Sequence, residues 1–389
     1  MLTFFQVTRP AARRLRRLVH VISRPAKRET GPGGMVIYPY RGYGSRREVF
    51  LMGRVFRQQR RSPGSEENLR DDLVGIAQRF FRRGTPGVRL RARLNGSEQL
   101  VTSDGEGYFQ FHMRLTRPLQ ASAKSMWHEL TVEAQEGPDL VAAHGAILVA
   151  PSTARFLVIS DIDDTVIFTG VANKLKMLVR LFLQGAQSRV AFPGTAALYA
   201  ALHRGSTGSE MNPMLYVSRG PWGIYEILDE FFNMHAIPVG PVLFLREWGL
   251  SLRRPFPRRA RNHKRALIRR MLDFYKNMGC VLIGDSGQHD PEIYARLVRE
   301  YPGRIKAVYI RNVSHESARV AAIEALAKEI AAQGSQLFLA ADSFAMAEQM
   351  AQHGLISSHA LADVLHERMQ QPNGAAFSPT RRVVKSSPE

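Results

Sequence analysis

Two aspartates, Asp161 and Asp163, stand at the end of the apolar run Arg155-Phe156-Leu157-Val158-Ile159-Ser160, inside the string Asp161-Ile162-Asp163-Asp164-Thr165. Carboxylates are costly to bury unless they are paired or used. Further along lie Ser218 in Val217-Ser218-Arg219-Gly220, Lys264 in His263-Lys264, and two more carboxylates in Gly284-Asp285-Ser286-Gly287-Gln288-His289-Asp290. These residue types can carry out phosphoryl transfer. A carboxylate can attack phosphorus and form an acyl phosphate, splitting one hard step into two. A second carboxyl group can protonate the leaving alkoxide and then activate water. The repulsion between anionic nucleophile and anionic substrate calls for a divalent cation, and Mg²⁺ is held by one or two carboxylates plus phosphate oxygens. A hydroxyl and an ammonium can hold the remaining phosphoryl oxygens. On this reading Asp161 is nucleophile and metal ligand. Asp163 is the acid/base, with its carbonyl on the metal. Asp285 and Asp290 complete the metal site, and Ser218 and Lys264 grip the phosphoryl group.

Such groups meet only if the chain brings them to one edge. From about residue 152 the pattern alternates strand and helix. Apolar strands are predicted at 156–160, 214–217, 242–245, 281–284, 305–310 and 336–340, with helices at 195–204, 222–234, 264–278, 291–300 and 316–332. Apolar strands of this kind read as buried on both faces, the signature of a parallel α/β sheet. Ligands of open parallel sheets bind beyond the carboxyl ends of the strands. The first, second and fourth of these strands end at Asp161, Ser218 and Asp285.

Residues 36–150 read instead as a smaller β-sandwich-like module. Its strands are predicted at 49–56, 88–94, 108–115, 130–134 and 145–149, separated by turns such as Asn95-Gly96 and Asp104-Gly105-Glu106-Gly107. One helix is predicted over 69–80. Tyr40, Tyr43 and Phe50 read as core residues, and the module carries no catalytic constellation. Residues 1–35 form a basic arm in which Ala11, Leu15, Leu18, Val19 and Ile22 share a helical face. Such a helix suits an anionic membrane surface, or packing on the protein's own body. The phosphatase-like domain is assigned to 151–352, and 353–389 to a mostly disordered C-terminal segment.

The 389-residue chain has 54 Lys and Arg against 34 Asp and Glu, a formal charge of +20 that attracts polyanions without choosing among them. The charge is concentrated in residues 1–28 and 251–265. No apolar stretch is long enough to span a bilayer. The single cysteine, Cys280, excludes an internal disulfide and a cysteine-built zinc site. No Gly-x-x-x-x-Gly-Lys-Ser/Thr loop is present, so a P-loop nucleotide site is not indicated.

The order Asp161-x-Asp163-x-Thr165, Ser218, Lys264 and Gly284-Asp285-(x)₄-Asp290 resembles the motif set of the haloacid dehalogenase superfamily of phosphatases. That resemblance implies a doubly wound parallel α/β sheet and adds Thr165 to the catalytic residues. A closer resemblance covers most of the chain. Ser160 to Thr165, Tyr216-Val217-Ser218-Arg219-Gly220-Pro221, His263-Lys264 and Gly284 to Tyr294 are similar to the catalytic domain of the actin-patch-protein family of Mg²⁺-dependent phosphatidate phosphatases. Tyr40 to Gly44 and Gly53-Arg54-Val55 are similar to the lead-in of its bacterial members. The resemblance implies conversion of phosphatidate to diacylglycerol.

Access to the site decides substrate size. Residues 166–191 are too few for a large cap domain. They can form one helix with Leu175, Leu178, Val179, Phe182 and Leu183 on a face. That helix either packs on the core or, with the basic run through Arg258, forms a greasy cationic lip toward a membrane. Phe182, Arg219, Gly220 and Arg258 are therefore candidate substrate contacts. The expected partner is an anionic phospholipid or another phosphomonoester, at a cytoplasmic location with peripheral membrane association. Nucleic acid is disfavoured, since no recognised binding module accompanies the charge. Two other readings stay open: the same mechanism on a soluble or protein-borne phosphate, and a non-catalytic basic adaptor.

Overall fold

A computed structural model describes residues 34–58, 83–120, 125–135, 141–162, 192–218, 222, 225–244, 260–314 and 316–370. The expected basic arm, the helices over 69–80 and 175–183, and the tail beyond 370 lie outside the described residues.

Among the described residues the first unit is all β: β1 Met35–Pro39, β2 Gly42–Gly44, β3 Glu48–Arg57, β4 Arg89–Leu94, β5 Ser97–Thr102, β6 Tyr108–Arg114, β7 Trp127–Ala134 and β8 Ala142–Val149. They join into one hydrogen-bonded sheet in the order β1-β3-β2-β8-β7-β4-β5, with β6 on the other edge of β3. The ten-residue β3 makes this possible. One edge pairs with β2 at Val49 and Phe50 and with β1 from Gly53 onward, and the other pairs with β6 from Glu48 to Arg54. All pairings are antiparallel except β2 with β8. β5 returns toward β6, where the His112 N–H donates to Gln99 Oε1 at 2.9 Å. The sheet encloses a core that includes Leu51, Val55, Leu90, Phe111, Leu130 and Ile147. The strands follow the residue alternation, as in β4, where Leu90, Ala92 and Leu94 are buried and the arginines between them are not.

The second unit is mixed α/β. Its strands are β9 Phe156–Asp161, β10 Met214–Ser218, β11 Val242–Phe244, β12 Gly279–Asp285, β13 Ile305–Arg311 and β14 Leu337–Ala340. Its helices are α1 Thr195–Arg204, α2 Tyr225–Met234, α3 Ala260–Phe274, α4 Asp290–Glu300, α5 Ser317–Ala332, α6 Ser343–Gln352 and α7 Ala360–Gln370. The strands pair in the order β11-β10-β9-β12-β13-β14, all parallel. One face buries Val158, Tyr216 and Ile283 under α1, α2, α6 and α7, and the other buries Ile159, Val217 and Leu282 under α3, α4 and α5. Helix layers on both sides explain why the strands read as continuous apolar runs. The unit extends through α7, whose Val364 is fully buried.

The two units share their cores. Tyr40 of the β module stacks on Trp222 with centroids 5.1 Å apart, and its neighbour Arg41 donates its backbone N–H to Tyr225 Oη at 2.7 Å. Tyr43 and Phe50 join the core under α3. The expectation that these three aromatics are core residues is met, but the core they enter is that of the α/β unit.

Candidate active site

The strand order places the site. The chain runs β9, β10, β11 toward one edge, then crosses back to lay β12, β13 and β14 on the other side of β9. The reversal falls between β9 and β12, and loops leaving this point part company to open a crevice. β9 ends on Asp161 and β12 on Asp285. Ile283 is in register with Ser160, so Asp285 lies just beyond Asp161 on the adjacent strand. On the other side Val217 is in register with Asp161, which sets Ser218 one residue further out.

The third carboxylate comes from the helix that follows. Asp290 opens α4, with Pro291 beside it, a residue suited to the first turn of a helix because its missing N–H is not needed there. Asp161, Asp285 and Asp290 are all buried, and one carboxylate oxygen from each lies within 4.8 Å of the other two. Lys264, carried by α3, reaches into the cluster. Its Nζ is 3.0 Å from Asp161 Oδ1 and is paired with Asp290 Oδ1. Burial works against the ammonium, but Asp161 and Asp290 outweigh it and hold its pKa above the ordinary lysine value. Nζ also lies 5.8 Å from the centroid of the buried Tyr294 ring, whose hydroxyl donates to the Ile283 carbonyl at 3.0 Å.

Asp290 Oδ2 accepts the backbone N–H of Asp285 at 3.2 Å, so the two metal candidates on this loop orient each other. Gly284 leaves room for this contact, since a β-carbon there would overlap the Asp290 carboxylate. The loop is also held from behind. Arg319 of α5 donates Nε to the Ser286 carbonyl at 2.8 Å and Nη2 to the Gln288 carbonyl at 2.5 Å, while its fork pairs with Glu292. Ser286 Oγ accepts the backbone N–H groups of Val313 at 2.9 Å and Ser314 at 3.0 Å. Nothing in the sequence singles out Arg319. Its role follows from a fork reaching two carbonyls and a carboxylate at once.

A second arginine that sequence reasoning missed is Arg311, at the end of β13 in register with Asp285. It is buried, donates to Ser343 Oγ at 2.8 Å, and lies 4.2 Å from the Phe192 ring centroid. Burial pushes its pKa down to about 10, against the pull of Tyr199, Asp342 and Asp285.

Of the expected site residues, Asp161, Ser218, Lys264, Asp285 and Asp290 come to one edge of the sheet. Asp163, Thr165, Phe182, Arg219, Gly220 and Arg258 lie outside the described residues. Three buried carboxyl groups, two of them paired with one ammonium, form a set of hard oxygen donors, and this cluster could coordinate a divalent cation. Among the described residues no helix is long and apolar enough to cross a membrane.

Comparison with known proteins agrees with this geometry. Residues 156–312 match the family model described as phosphatidate phosphatase APP1, catalytic domain. Phosphatidate phosphatase APP1 of Saccharomyces cerevisiae is 31% identical over 163 residues, 42% of this chain and 27% of that protein. An uncharacterized protein of Schizosaccharomyces pombe is 29% identical over 160 residues, 40% of this chain and 25% of that protein. The chain thus spans about a quarter of the length of these curated relatives. Among solved structures, a carbohydrate acetylesterase from Xanthomonas citri aligns over 76% of this chain and 66% of its own at 10% identity and a TM-score of 0.28, a level at which the likeness carries no argument. Residues 156–312, most of the α/β unit, are thus similar to this catalytic domain.

Proposed function

We propose that the protein hydrolyses phosphomonoesters at this edge with Mg²⁺ as cofactor, by way of a phosphorylated Asp161, and that its substrate is phosphatidate, released as diacylglycerol. The observation that carries the reading is the convergence of buried Asp161, Asp285 and Asp290 around Lys264 at the switch between β9 and β12. The family match over 156–312 supports the phosphatidate assignment. The α/β unit is read as haloacid-dehalogenase-like, which its parallel strand order supports.

Asp161, Asp285 and Asp290 would hold Mg²⁺, together with the Asp163 carbonyl. When bound, the cation offsets the repulsion between the Asp161 carboxylate and the phosphoryl oxygens. Asp161 attacks phosphorus, the bond from phosphorus to the ester oxygen breaks, and Asp163 donates its proton to the leaving alkoxide. Asp163, now a carboxylate, takes a proton from water as the water oxygen attacks phosphorus. The bond to Asp161 breaks, and inorganic phosphate leaves. Lys264 has three N–H donors. Two face Asp161 and Asp290, and the third is assigned to a phosphoryl oxygen, with Ser218 and Thr165 assigned to the others. Arg219, Gly220, Arg258 and Phe182 are assigned to substrate contact at an anionic membrane surface, with the protein peripheral to that membrane.

The test is phosphate release from phosphatidate, lysophosphatidate, nucleotides and phosphopeptides, with and without Mg²⁺, beside Asp161→Asn. Mg²⁺-dependent release from phosphatidate that disappears in Asp161→Asn is expected. Activity retained in that variant removes the nucleophile assignment, and activity confined to nucleotides removes the lipid one.

A further inference from the structure

A cavity of about 420 Å³ lies in the seam between the two units. The β module lines it with Tyr40, Tyr43 and Phe50, and the α/β unit with Trp222, Phe244 and one face of α3. His263, Ala266, Leu267 and Arg270 recur at i, i+3, i+4 and i+7 on that helix, so they form a stripe toward the cavity. Lys264, one residue round the helix, points into the cluster. Phe244, at the end of β11, is in register with Ser218 on β10. The cavity therefore adjoins the proposed phosphoryl site at two independent points, His263 beside Lys264 and Phe244 beside Ser218.

Its chemistry differs from that of the site. The walls are mostly aromatic and aliphatic, with Arg270 4.7 Å from the Phe50 ring centroid. Ala266 and Arg270 are exposed, so one side is open. Small-molecule sites favour domain seams and apolar walls with few polar groups, and span roughly 300–1,000 Å³. If a methylene takes about the volume of a water in the liquid, ~30 Å³, the space holds roughly a dozen carbons.

We propose that this cavity receives the alkyl part of a phosphomonoester whose phosphate sits at Asp161 and Ser218. The proposal rests on the hydrolase reading above and adds to it the selection of substrates by an apolar chain held between the two units. It gives the β module a part in substrate choice.

The test uses the full-length protein with Mg²⁺ and a series of alkylphosphonates of two to twelve carbons, below their micellar concentrations, with binding measured by calorimetry. Matching alkyl phosphates are assayed in parallel for phosphate release. Kd should fall with each added methylene, by up to about fourfold per step, and level off near a dozen carbons. Ala266→Trp and Leu267→Trp, which fill the cavity, should flatten that dependence. Leu100→Trp, on a strand of the β module where Leu100 is exposed, should keep it. A Kd independent of chain length, or a dependence unchanged in both filling variants, overturns the proposal. Release of phosphate at every length with a flat Kd overturns the cavity alone. A chain-length dependence in Kd with no phosphate released at any length overturns the hydrolase reading and supports the cavity as an alkyl-phosphate site.

Discussion

Arg319 Nε donates to the carbonyl of Ser286, 33 residues earlier in the chain, at 2.8 Å. The same guanidinium bonds the Gln288 carbonyl and pairs with Glu292, so one side chain ties both ends of the loop bearing Asp285 and Asp290. Groups behind a metal ligand set its orientation, and their loss commonly costs 10–100-fold in metal affinity.

Arg319→Ala is therefore expected to weaken Mg²⁺ binding by roughly tenfold or more, read as a smaller Mg²⁺-induced rise in Tm. Arg319→Lys keeps the charge without the fork and should recover only part of it. Unchanged Mg²⁺ affinity in Arg319→Ala would show that the loop holds its shape unaided.

Lys264 is the counter-charge of the cluster. Lys264→Met should lower phosphate release by about 10²–10³-fold and destabilise the fold by about 3–5 kcal/mol, because it leaves buried carboxylates without their cation. Thermal melts of Lys264→Met, Asp161→Asn and the double variant should show coupling, with the double variant less destabilised than the sum of the two. Simple additivity would mean that the pair is not energetically joined.

Gly284 is set by contact rather than by turn geometry. Gly284→Ala should displace Asp290, since the added methyl would overlap its carboxylate. A lower Mg²⁺ affinity together with a lower Tm is expected. Wild-type values for both would refute the close approach.

Glu210 ties the start of β9 to the end of α1. It is buried and accepts from Asn212 Nδ2 at 2.8 Å and Ser206 Oγ at 3.0 Å, with Arg155 at 3.4 Å. Burial raises its pKa, these partners lower it, and the net direction is down from 4.5. A carboxylate with a depressed folded pKa stabilises fully above its unfolded value, and that stability is lost as pH falls through the folded one. Glu210→Gln should cost about 1–3 kcal/mol near neutrality and flatten the decline in stability below pH 4.5. An acid limb identical to wild type would contradict this.

Much of the α/β unit is legible along the chain. Its six strands are short apolar runs, because a parallel sheet under two helix layers has no polar face. Helix α1 falls at 195–204 as expected, where Gly194 in a left-handed turn precedes it and Gly205 stops it. The all-β unit is less so: a sandwich is expected, and the described strands join into one sheet. β1 and β2 are too short to show alternation, and the parallel pairing of β2 with β8 joins residues about a hundred positions apart. No helix is predicted at α6 or α7, which bury Met346, Met350 and Val364 in the core on the same sheet face as α1.

The local sequence determined which groups could do chemistry, since an aspartate ending an apolar strand is legible from neighbours alone. It also determined the order in which those groups arrive. Tertiary structure decided which of them meet, because the reversal between β9 and β12 is a property of the sheet and of no single segment. It decided too that Arg319 grips a loop 33 residues away and that Tyr40, Tyr43 and Phe50 wall a cavity together with His263. Contacts of that range depend on how two cores pack against each other, and residue type and spacing do not encode that packing one position at a time.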